Sequence, residues 1–165
     1  MTRAARLAAD RDSIRARNDL DTFIAKFSPD VAATIRLARA WMRLRLPGAI
    51  EFVYDNAYAL VIGYGPNDRP SDALFSIAAY SDHVSIVFIW GATLEDPQEL
   101  LHGDGNQVRH VRLDGAAMLN SRPFRALVTA AVEDSDVRFT RSNPIRTVVR
   151  VVSKHQRPRR PRRAD

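Results

Sequence analysis

The sequence predicts an α+β protein, and three observations carry that expectation. Helical apolar spacing fills the first third of the chain. Four short β-branched and aromatic segments, separated by brief polar breaks, fill the middle. One further helix and one further strand-like segment come before a basic C-terminal stretch. The short connections between the middle segments favour antiparallel pairing, because a parallel pair needs a long crossover.

Residues 3–17 read as a polar, Arg-rich helix with few apolar anchors (Leu7 and Ile14), set apart as an N-terminal extension over 1–18. Leu20, Phe23, Ile24 and Phe27 then follow i, i+3, i+4, i+7, which is one helical stripe. Ser28 and Pro29 restart the chain as a cap and a first helical residue. The apolar face of Val31, Ile35, Ala38 and Met42 is widened by Leu37, Trp41 and Leu44, as expected of a helix buried against a sheet. "LPG" at 46–48 stops it.

Strands are expected over 50–54, 58–65, 73–80 and 83–90. "DPQELL" has Asp96 as a cap, Pro97 at the first helical position and Glu99 to complete a capping box, so one short helix is expected there. "HGDGNQVRHVRL" (102–113) packs two histidines, two glycines and two arginines into one stretch. Gly103 stands where a helix C-terminal glycine belongs, and 107–113 reads as a strand. A phosphate loop needs the opposite order, with glycines leading into a helix whose free N–H groups bind the anion. The stretch is therefore read as a turn into a strand. Phe124, Leu127, Val128, Ala131 and Val132 form the last helix, opened by Ser121 and Pro123. Residues 145–153 form the final strand, and 154–165 lack apolar residues to pack, so a disordered or extended basic tail is expected.

Composition narrows the function. The chain has 165 residues, enough for one domain with a single core. It has no cysteine, which excludes disulfides, zinc–thiolate sites and cysteine nucleophiles and suits a reducing cytoplasm. The net charge of +6 is a property of the tail. Residues 154–165 hold six basic side chains against one acidic, while the other 153 residues hold 19 against 18. Its longest strongly apolar run, "IVFIWGA", is too short to span a bilayer, so no membrane partner is expected.

Residues from about 20 to 153 resemble the DUF1801 or YdhG-like family, and the domain is set at 19–153. The stretches that carry the resemblance are "FIAKFSPDVA", "LPGAIEFVYDNAYALVIGYG", "LFSIAAYSDHVSIVFIWGATLEDPQELLHGDGNQVRHVRL" and "VVSKHQRPRRP". The resemblance implies a curved antiparallel sheet, here of about five to six strands, with helices packed on one face. One branch is described as frataxin-like, which implies an iron chaperone working through acidic side chains along a helix. Here Asp10, Asp12, Asp19 and Asp21 are interleaved with Arg11, Arg15 and Arg17, which weakens such a ridge.

No catalytic group stands out: there is no G-x-S-x-G, and the only lysines are Lys26 and Lys154. No cofactor is implied. The histidines show no metal-ligand spacing; His102 with Asp104 offers two ligands and no third, so no metal site is assigned. Glu51 and Asp55 share strand parity and are read as lining a solvated edge. Tyr58 and Tyr64, with His110 and Arg112, are the candidates for a ligand groove on an open sheet face. Arg157, Arg159, Arg160, Arg162 and Arg163 are the candidates for electrostatic contact by the tail. The expectation is a cytoplasmic, non-enzymatic binding or interaction module with a small-ligand or protein partner. The alternatives are an iron-binding chaperone and weak, nonspecific nucleic-acid association through the tail.

Overall fold

The computed structural model describes residues 1–162. It has four α-helices and one open six-stranded sheet, so the α+β expectation holds. The helices are α1 (Arg3–Ala25), α2 (Pro29–Arg45), α3 (Ala116–Asn120) and α4 (Arg122–Glu133). The strands are β1 (Ile50–Asp55), β2 (Leu60–Gly65), β3 (Phe75–Ala79), β4 (Val84–Phe88), β5 (Arg109–Arg112) and β6 (Arg146–Val152). Their spatial order is β5-β4-β3-β2-β1-β6.

Three hydroxyl caps start three helices. Thr2 accepts the Ala5 N–H, Ser28 that of Val31 and Ser121 that of Phe124, each satisfying a donor that the first turn leaves free. The sheet is antiparallel from β1 to β5. β6 departs from the expected pattern by pairing parallel to β1. The connection from β5 to β6 contains α3 and α4, which gives the chain the crossover length a parallel pair needs. Arg150 is the extra residue of a bulge in β6, since Val53 pairs Val149 and Tyr54 pairs Val151.

The register puts Val53, Ile62, Ile77, Ile86 and Val111 in one row across five strands. That face joins Ile24, Ile35, Ala38, Met42, Phe124 and Leu127 from three helices in a single core. All the long helices therefore lie on one side. On the other face Gly63 and Gly65 leave room for the Phe52 ring, whose edge lies 3.1 Å from where a Cβ on Gly65 would stand.

Four expectations are corrected. α1 is one continuous helix of 23 residues, so 1–18 is not a separate extension; within that span Ser13 and Ala16 are buried beside β6. "DPQELL" is not helical: the Asp96 carboxylate accepts the N–H groups of Leu100 and Leu101, closing a loop in which Glu99 takes φ +53°. With no helix there, Gly103 is not a C-terminal cap. It turns the chain at a bridge in which His102 and His110 exchange both backbone hydrogen bonds, so 102–113 is a turn into a strand. Lastly, residues 154–162 lack regular structure but do not hang free, because Arg159 is buried in the domain.

Candidate functional site

The four groove candidates are not brought together. Tyr64 is fully buried on the helix-covered face, in line with Phe75 and Phe88. Tyr58 lies in the β1–β2 connection, 64% exposed. His110 and Arg112 point to the uncovered face of the edge strand β5, because Val111 between them faces the core.

Glu51 and Asp55, expected at a solvated edge, are both fully buried. Strand alternation puts them on one face, and that face is the one the helices cover. Glu51 accepts Nε and Nη2 of Arg39 at 2.8 and 3.0 Å and Nη1 of Arg43 at 2.9 Å. Tyr64 Oη and Thr147 Oγ1 also donate to it, at 3.1 and 2.9 Å. Burial alone would push this carboxyl up. The hydrogen bonds and charge of Arg39, helped by Arg43 and Thr147, overcome that and hold it below its ordinary value. Burial, together with the negative charge of Glu51, pushes the Tyr64 hydroxyl well up. With its oxygens engaged and no exposed surface, Glu51 joins α2 to β1 and β6 and has no access to a substrate.

Asp55 anchors the C-terminal segment. Its Oδ2 accepts Lys26 Nζ and its Oδ1 accepts Arg159 Nη2, both at 2.8 Å. Burial raises this carboxyl, but the bonds from Lys26, Gln156 and Arg159, with the charge of Lys26, outweigh it and hold it low. Ser153 N–H and Gln156 Nε2 donate to the Asp55 carbonyl, and Arg157 N–H donates to that of Ala57. Arg160 Nε donates to the carbonyls of Lys26 and Phe27, just past the end of α1, where a cation complements the helix dipole. Arg162 is exposed, and Arg163 lies outside the described residues.

A cavity lies elsewhere, between the C-terminus of α4 and the ends of β3 and β4. It holds about 400 Å³. Leu74, Phe88, Leu94 and Val137 give it an apolar lining. The Phe88 ring is held edge-on by Phe75 and Phe124, with centroids 5.4 and 6.1 Å away, so the floor is rigid. Trp90 stands at the mouth, 55% exposed. Three carboxylates line the same cavity: Asp72, Asp134 and Asp136. Asp72 is tied to Asn67 and Arg69, whereas no ion pair engages Asp134 or Asp136 among the described residues. Among the described residues no basic side chain lines the cavity, and the last turn of α4 carries none. The partial negative charge of that helix end adds to the carboxylates. The strand expected over 83–90 ends at Trp90 and the last expected helix ends at Val132; only the fold brings Trp90 and Asp134 to one cavity.

Among the described residues, no three His, Cys, Asp or Glu side chains gather to hold a metal ion, and no helix is long and apolar enough to cross a membrane. No family model, curated protein or solved structure matches the chain, so the DUF1801-like resemblance finds no support there.

Proposed function

We propose that this protein is a non-enzymatic, cytoplasmic binding module whose ligand site is the cavity beside Trp90. One observation carries the reading: a rigid apolar floor, an exposed indole and two uncompensated carboxylates converge on about 400 Å³. That volume suits a small molecule. The carboxylates and the helix end favour a cation, the indole adds cation–π attraction, and the floor takes an apolar body. The ligand class is an amine or ammonium with an aromatic or aliphatic body. The lack of cysteine fits a reducing compartment. The iron-chaperone alternative ranks lower, since the described residues offer it no three-donor cluster.

Trp90 reports the test directly, because the only other tryptophan, Trp41, is buried. Emission is titrated with phenethylamine and with phenylpropionate, which share an apolar ring and differ in charge. A saturable change with the amine alone is expected. Changing Asp134 and Asp136 to Asn should weaken it roughly tenfold, the equivalent of about 1.4 kcal/mol. An equal response to both compounds, or none to either, overturns the reading.

A further inference from the structure

The C-terminal segment forms a second surface, unrelated to the cavity. Its anchor is Arg159, whose side chain is 3% exposed and is bonded to Asp55 and to the carbonyls of Asn56 and Ala59. The guanidinium also lies over the Phe27 ring, 5.7 Å from its centroid. Around this buried anchor Lys154, Arg157, Arg160 and Arg162 are all exposed. Among the described residues, the one ion pair made by 154–162 is that of Arg159 with Asp55. Four exposed cations are therefore held on this stretch without a carboxylate partner among the described residues. Arg157 lies over the exposed ring of Tyr58, 4.5 Å from its centroid.

We propose that this anchored strap and Tyr58 form a docking strip for single-stranded nucleic acid. Exposed cations spaced along the strap meet phosphates. An exposed aromatic ring topped by a guanidinium provides a stacking platform for an unpaired base, which a duplex keeps stacked and out of reach. A loose basic tail would have charge but no fixed platform. Burying Arg159 sets the position of Arg157 over Tyr58, and so supplies the geometry that distinguishes a strand from a mere polyanion.

The test uses the full chain with a labelled oligothymidylate of about 16 nucleotides, a duplex of the same length and vesicles rich in phosphatidylserine. Binding to the single strand is expected to exceed binding to the duplex and to the vesicles, and to weaken with salt. Tyr58→Ala should lower affinity roughly tenfold with melting unchanged, within the range of one base–aromatic stack. Arg157→Gln and Arg160→Gln should each reduce the log–log salt slope by about 0.7. Arg159→Gln should lower affinity more than the loss of one remote charge does; because it disturbs a buried pair, its melting curve is recorded alongside. Equal binding of duplex and strand, indifference to Tyr58→Ala, preference for vesicles, or no binding at low salt overturns the proposal. Unchanged affinity in a folded Arg159→Gln protein would do the same.

Discussion

Arg39 and Glu51 meet through two parallel hydrogen bonds, the planar fork of the guanidinium matched to both carboxylate oxygens, with Glu51 wholly buried. This pair joins α2 to β1 and, through Thr147, to β6. Arg39→Met removes two hydrogen bonds from the buried carboxylate and leaves Arg43 as its cation, so it should destabilise by about 1–3 kcal/mol in urea unfolding. The folded pKa of Glu51 is depressed, so its stabilising contribution is fully present above the ordinary glutamate value. That contribution is lost as pH falls through the lower folded value. The acid limb of the stability–pH curve should flatten in Glu51→Gln. An unaltered limb would show that the pair contributes nothing net.

Removing the chain after Ser153 takes Arg159 from Asp55 and uncovers the carbonyls of Asn56 and Ala59. Lys26 remains to neutralise the carboxylate. The shortened protein should lose roughly 1–3 kcal/mol. A tail merely hanging from the domain would leave the melting temperature unchanged, and that outcome would refute the docked arrangement. Asp55 also has a depressed folded pKa, so this stabilisation belongs to the range above the ordinary aspartate value and fades as pH falls below it.

Ser13 in α1 accepts the N–H of Thr147 through its hydroxyl at 3.0 Å, and both residues are buried. β6 is an edge strand, so this donor has no strand partner on its outer side. Ser13→Ala would leave it buried without an acceptor and should cost about 1–3 kcal/mol. Hydrogen exchange at Thr147 should quicken by more than at neighbouring β6 amides.

Two glycines should separate by contact rather than by backbone angle alone. Both Gly48 and Gly103 have positive φ, at +74° and +118°. A Cβ on Gly48 would collide with the Thr140 carbonyl oxygen, whereas one on Gly103 meets nothing nearer than 3.4 Å. Gly48→Ala should cost about 2–4 kcal/mol and Gly103→Ala about 1 kcal/mol. The reverse order in thermal melts would contradict the packing around 140–143.

Periodicity was enough to predict the helices at Phe23 and Ile35 and the strands around Val53, Ile62, Ile77 and Ile86; a turn at Gly103 was expected as well, but as the end of a helix that the fold does not have. Each depends on contacts or backbone angles within a few residues of itself. The sequence also placed Glu51 and Asp55 on one face of β1, because strand alternation is local. Which face the helices would cover was a property of the whole fold, so solvated carboxylates were expected where buried ones lie. "DPQELL" carried a valid capping pattern, but Asp96 spends its carboxylate on Leu100 and Leu101 in a loop. Distance along the chain hid the rest. Arg159 finds Asp55 across 104 residues, and Trp90 shares a cavity with Asp134 only because α4 packs over the end of β4. Contacts between residues so far apart leave no periodic trace in the sequence. They depend on how packing closes the core, and that was decided by the tertiary structure alone.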